Sequence, residues 1–296
     1  VVFIGEKSED DSLCVLKSCE TCNNLKCPMR IGKRKEVSIT SQDSQGNKFG
    51  VAIDIGTTTV EVLLLNLETK EKLGRIKEYN AQRVYGFDVI TRSEAAISDK
   101  TVETKCQTII LKQLTRMIAD LANKLDVSID YIKTGAISAN TIMIHMLMNY
   151  DLSGLVKYPF IPVTTEKQVL PGSRIGLSCP VTILPGISAY IGADALGGAV
   201  ASGINTGSEL QLYVDLGTNA EIMLSHENTL LCTSTAMGPT FEGANISCGM
   251  SALDGAITAF DGRSYMILGQ HTPRGICGSG LIDILAYLRK EKLMDE

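Results

Sequence analysis

Two aspartates end apolar runs and are followed by similar small residues: Asp54-Ile55-Gly56-Thr57-Thr58-Thr59 and Asp215-Leu216-Gly217-Thr218-Asn219. In each, a glycine two positions after the acid permits a sharp bend and close approach of the backbone to a ligand. The backbone N–H groups and hydroxyls that follow can converge on phosphate oxygens. A carboxylate beside phosphate is repelled unless a cation intervenes, so the acid of each turn suits Mg2+, held directly or through water. A second carboxylate from the opposite turn could orient an attacking water or help hold the metal. One such turn alone is equally served by a buried Asp satisfied by backbone donors. Two copies on hydrophobic, β-rich flanks, about 160 residues apart, favour a duplicated phosphate-handling unit.

The flanks predict the elements that carry these turns. Residues 50–67 and 211–225 each read as strand, Gly–Thr turn, strand, and the segment 67–74 leads into a further strand. A strand directly after the glycine turn is unlike a dinucleotide-binding unit, which needs a helix there. Residues 106–125 predict a helix, with Ile110, Leu114, Met117, Ile118, Leu121 and Leu125 on one face. A short strand at 131–138 precedes a helix from Asn140 to Met148, for which Ser138 or Asn140 can serve as cap. A strand near 180–186 leads to the small-residue helix 188–203, whose glycines and alanines let backbones approach closely. The expected class is therefore α/β, with two similar halves facing a cleft.

Composition narrows the function classes. The chain has 296 residues and 44% hydrophobic content, enough for about two domains with real cores. Its net charge of −5 and 5% aromatic content argue against a nucleic-acid partner. No run approaches the ~20 apolar residues of a membrane span. Nine cysteines, an odd number, with four crowded before residue 28, do not read as a secreted disulfide framework, so a cytoplasmic setting is expected. His145 lies in the apolar run IMIHMLM and reads as a satisfied core histidine.

The turns resemble the phosphate motifs of the actin, sugar-kinase and Hsp70 superfamily. VAIDIGTTT is similar to its first phosphate motif, LYVDLGTNAEI to its second, and GAISANTIM (135–143) to a connecting segment between the halves. GICGSGLID (275–283) resembles a glycine-rich turn near the adenosine, with Gly278 and Gly280 as the candidate positions, although a plain tight helix entrance would use the same glycines. The resemblance implies a duplicated, ribonuclease H-like fold with two lobes around a cleft for ATP and Mg2+. Asp54 would be the Mg2+-side carboxylate, Asp215 the one that positions water or metal, and Thr57, Thr58 and Thr218 phosphate contacts, with Gly56, Thr59, Gly217 and Asn219 completing the turns. Glu221 would face metal-bound water or form an ion pair on its strand. The loop with Gly238 and Glu242 would border the cleft, or Glu242 would cap the next helix.

A narrower resemblance runs from about Gly50 to the C-terminus. NAQRVYGFDVITR (80–92), LPGISAYIGAD (184–194), TSTAMGPTFEGANISCGMSALDGAI (233–257) and GICGSGLID occur in the order found in the ATPase domain of reductive activators of corrinoid-dependent enzymes. That implies ATP-assisted reduction of Co(II) to Co(I) on a corrinoid protein or corrinoid-dependent methyltransferase, with a dimer as an option. The rival functions are a small-molecule kinase of the sugar-kinase type, an ATP-dependent activator of an iron–sulfur dehydratase, and a non-catalytic nucleotide-controlled scaffold.

Cys14-x4-Cys19-x2-Cys22 has the spacing of the first three ligands of a plant-type 2Fe–2S cluster, and the family often carries such a domain ahead of the ATPase part. Cys27 departs from that pattern, because the fourth ligand normally lies much further on. The open readings for Cys14, Cys19, Cys22 and Cys27 are a 2Fe–2S or other iron–sulfur cluster, a zinc site, or no metal. The expected organisation is a Cys-rich segment and linker at 1–49, a first lobe at 50–207 and a second at 208–296, the last expected to continue past Glu296.

Overall fold

The structure, a computed structural model, describes residues 2–3, 48–204, 208–227, 229–238, 240, 243, 245–269 and 272–294. The four N-terminal cysteines and Glu242 lie outside these residues. The chain divides into two compact units. Among the described residues from 48 onward, the larger takes the chain to Asp215 and resumes over Ala220–Thr235; the smaller takes Leu216–Asn219 and the chain from Ala236 onward.

The larger unit is organised by a six-stranded sheet. Strand β1 (Phe49–Ile55) turns through the first Gly–Thr segment into β2 (Thr59–Asn66), and β3 (Lys72–Tyr79) extends the meander antiparallel. Val60, Val62 and Leu64 alternate inward along β2, a period of two that buries one face of the strand. Helices α1 (Val89–Ser98) and α2 (Lys100–Lys124) follow, then β4 (Ile132–Ala139), which pairs parallel to β1. After α3 (Thr141–Met148), β5 (Gln168–Leu170) forms the antiparallel edge beside β6 (Val181–Ile183), which runs parallel to β4. The order is therefore β3-β2-β1-β4-β6-β5. One core of Val, Ile, Leu and Met joins this sheet to α2 and α3.

Helix α2 begins six residues before the periodic stretch that predicts it. Asp99 accepts from the Thr101 amide and caps the start, so a polar first turn forms without apolar spacing to announce it. Asn140 caps α3 through the Met143 amide, one of the two caps expected. Helix α4 (Ala193–Ser202) starts five residues later than the small-residue run. There Gly192 lies so close to Asn140 that a Cβ would sit 2.4 Å from the Asn140 Cα. Next come β7 (Gln211–Leu216), β8 (Asn219–His226) and β9 (Thr229–Ala236), sheet neighbours in sequence order, with the short strand Val2–Phe3 beside β7. Helix α4 packs on them through a second, smaller core of Ile191, Ala195, Ala199, Tyr213 and Met223.

The smaller unit holds β10 (Ala256–Phe260), β11 (Tyr265–Ile267) and β12 (Gly275–Ile276), with β10 central. Helix α5 (Gly278–Lys290) packs on β10, and a Cβ at Gly280 would meet the Ile257 carbonyl at 2.4 Å. Among the described residues, no helix is long and apolar enough to cross a membrane.

Candidate functional site

The first turn is a tight hairpin held from behind. Ile55 and Val60 are the last paired residues, and the Gly56 amide donates to the Thr59 carbonyl at 2.9 Å. A side chain at Gly56 would crowd that same carbonyl at 2.9 Å, so the bend needs a glycine. Asn80 donates through Nδ2 to the Gly56 carbonyl and through its backbone amide to the Thr58 carbonyl, both at 2.8 Å. Asn140 Nδ2 reaches Thr57 Oγ1 at 3.0 Å. Thr57, Thr58 and Thr59 are all half-buried.

The second turn is built similarly. The Gly217 amide donates to the Asn219 carbonyl at 2.9 Å, and the Met237 and Gly238 amides donate to the Thr218 carbonyl. This places Gly238 beside Thr218 within the smaller unit. Asp215 precedes the turn and accepts from the Tyr213 hydroxyl at 3.2 Å. Glu221 follows it and accepts from Ser234 Oγ at 3.3 Å, so its strand partner is a hydroxyl rather than a cation.

Electrostatics draws these acids together within the larger unit. Asp54 is open to solvent at the end of β1 yet crowded by protein, and its pKa is pushed up to about 7, first by desolvation and then by Asp194. Asp215 adds to that rise, while Lys77 opposes it. Desolvation, with Asp215, raises Asp194 to about 6. Glu221 is raised to about 7 by desolvation, then by Asp194 and Asp215. Burial, followed by Asp215, drives the Tyr213 hydroxyl well above the ordinary phenol range. Four carboxylates thus repel one another across one region, the electrostatic condition that a divalent cation relieves. Among the described residues no three acid, His or Cys side chains converge as a finished metal cage. The donor set fits Mg2+, which keeps several waters and takes only one or two carboxylates alongside phosphate oxygens.

Asp194, Tyr213 and Asn80 are candidate positions that sequence reasoning missed, and Asn140, expected as a helix cap, also contacts the first turn. Each lies in or beside a motif already singled out, but none has a spacing that marks a ligand. Gly278 and Gly280 open α5, and the approach of Gly280 to β10 by itself accounts for a glycine there. His145 is a satisfied core residue: its Nδ1 bonds the Thr141 carbonyl at 2.7 Å, and Nε2 accepts from the Val163 amide at 3.0 Å. Cys106, Cys179 and Cys277 are buried, Cys232 is half-buried and Cys248 is exposed.

Known proteins are similar to this chain in sequence and fold. Residues 49–207 match the RACo middle region, and residues 209–296 match the C-terminal domain of RACo, the ASKHA domain. The chain belongs to the RACo family of reductive activators. Relatives of this RACo chain include the corrinoid activation enzyme RamQ of Eubacterium limosum, 30% identical over 86% of this chain and 44% of that protein. Another is the [Co(II) methylated amine-specific corrinoid protein] reductase of Methanosarcina barkeri, 30% identical over 71% of this chain and 40% of that protein. A solved structure of a reductive activator for corrinoid, iron–sulfur protein superposes with a TM-score of 0.76 at 32% identity, covering 84% of this chain and 41% of that one. The chain spans less than half the length of these RACo relatives. The actin-like α/β fold expected from the two turns is the fold of this family.

Proposed function

We propose that this chain is the nucleotide-handling part of an enzyme that couples ATP hydrolysis to reduction of a corrinoid cobalt from Co(II) to Co(I). The observation that carries the reading is the electrostatic coupling of Asp54, Asp194, Asp215 and Glu221 within the larger unit, with three of the four acids raised by desolvation and mutual repulsion. Membership of the family of reductive activators supports a corrinoid protein as the partner, and in this reading a corrinoid-dependent methyltransferase carries it. Mg2+, when bound, neutralises the phosphate chain and the acids together.

In this reading Asp54 stands on the metal side. Asp215, oriented by Tyr213, positions the attacking water, and Glu221 and Asp194 complete the acidic surround. Gly56, Thr57, Thr58 and Thr59 receive phosphate oxygens at the first turn, and Gly217, Thr218 and Asn219 are the phosphate contacts of the second. The electron comes from a separate low-potential donor, an iron–sulfur or flavin centre, and one electron converts one Co(II) to Co(I). ATP does not carry that electron. It biases two states of the activator that contact the corrinoid protein differently, and loss of an axial ligand from Co(II) eases its reduction. The cytoplasm is the compartment that suits such chemistry.

The test mixes full-length protein, MgATP, a chemical reductant and a candidate corrinoid protein, and follows the Co(II) to Co(I) absorbance change. An ATP-dependent increase that is lost in Asp215→Asn supports the reading. No ATP dependence with any corrinoid protein of the source organism sinks it.

A further inference from the structure

Arg92 lies behind the first turn, fully buried in α1. A buried guanidinium is costly unless a carboxylate neutralises it, yet among the described residues Arg92 makes no ion pair. Its hydrogen-bond partners are neutral, and the Asp88 carboxylate offsets part of its charge through space. Nη2 donates to the Thr57 carbonyl at 2.9 Å and to the Gly86 carbonyl at 3.0 Å. Nε also reaches the Gly86 carbonyl, at 3.2 Å, and Nη1 lies 3.2 Å from Met143 Sδ. Gly86 is built for this contact. Its φ is +151°, and a Cβ there would sit 2.5 Å from the Arg92 amide nitrogen. Burial lowers the Arg92 pKa to about 10, so the side chain keeps its charge at neutral pH.

The consequence for the turn follows from peptide planarity. In a trans peptide the carbonyl of one residue and the N–H of the next point in opposite directions. Asn80 holds the Gly56 carbonyl and Arg92 holds the Thr57 carbonyl, and both side chains meet the same Met143 Sδ. The amides of Thr57 and Thr58 are thereby turned away from Asn80 and Arg92, and successive amides presented together form an anion-binding concavity. A neutral donor would hold one carbonyl at far smaller desolvation cost. The choice of a permanent cation makes sense if an anion bound on the far side of the turn completes its neutralisation.

We propose that Arg92 is a positioning residue that makes the Gly56–Thr59 turn a phosphate receptor. It fixes the Thr57 carbonyl from behind and lends positive charge to the turn. The inference rests on the nucleotide reading and deepens it.

The experiment uses the full-length protein, with MgATP binding measured by calorimetry and hydrolysis by phosphate release. In Arg92→Met, Kd and KM for MgATP rise about tenfold or more, the scale of one lost charge-assisted hydrogen bond. kcat at saturation stays within about twofold, because uniform phosphate binding is what has been removed. Arg92→Lys falls between, since it keeps the charge but not the fork. It carries the test if the methionine variant does not fold. Folded variants that bind MgATP like the wild type overturn the proposal, as does a fall in kcat at unchanged KM. Wild-type protein that does not bind MgATP overturns the nucleotide reading itself, a distinguishable outcome.

Discussion

The acids around the two turns oppose the fold that carries them. Asp54, Asp194 and Glu221 all have folded-state pKa values above their ordinary ones, near 4. The folded chain therefore binds more protons than the unfolded one, and stability falls as pH rises from about 4 through about 7. Asp54→Asn removes one of the repelling charges. Without magnesium it should melt higher than wild type at pH 8, and the difference should shrink toward pH 4, as followed by circular dichroism. The same change should cut MgATP hydrolysis about a hundredfold, the scale expected for a lost electrostatic contact at a reacting centre. His145 titrates in the opposite sense. Desolvation lowers its pKa, and its Nε2 accepts a backbone bond that only the neutral ring can accept. Its stabilising contribution is complete above the ordinary histidine pKa of about 6.5 and is lost as pH falls through the lowered value. Because the acids act the other way, the comparison isolates the histidine: between pH 8 and pH 5 the melting temperature of His145→Phe should change more favourably than that of the wild type.

At the scale of elements, α4 and β7 interlock through one missing side chain. A Cβ at Gly198 would lie 2.0 Å from the Tyr213 hydroxyl and 2.9 Å from its ring. Gly198→Ala should cost about 1–3 kcal/mol in urea unfolding, the range for an overpacked core. Tyr213→Phe removes the colliding oxygen, so the double variant should lose less stability than the two single losses added together. That coupling identifies the contact, and a fall in hydrolysis in Tyr213→Phe reports the loosening of Asp215. The hairpins that position the site were legible because alternating apolar residues and Gly–Thr bends leave few other arrangements, and α3 was legible with its Asn140 cap. Helix α1 was not: Arg92 and Ser93 are buried there, and charged or polar residues in a core carry no hydrophobic period. Asp194 escaped for a related reason. It opens a helix of alanines and glycines whose start is set by the packing of Gly192 on Asn140 rather than by any capping signal.

For the molecule as a whole, ligand binding and stability are linked. A ligand that binds only the folded chain stabilises it by about 2.7 kcal/mol at a hundred times its Kd. MgATP should therefore raise the melting temperature measured by scanning calorimetry, and ATP with excess chelator should raise it less. Asp54→Asn, which removes the metal-side carboxylate, should lose most of the MgATP effect while melting no lower than wild type in its absence.

The order in which the chain is made adds a final consequence. The principal core draws its residues from Phe49 to Ala193, so it can close before Asp215 has left the ribosome. Asn80, Arg92 and Asn140, which set the first bend, all lie within that early stretch. The growing polypeptide thus fixes the first bend on an already settled framework, and the mutual repulsion of the acids is complete only when the last of them arrives during synthesis.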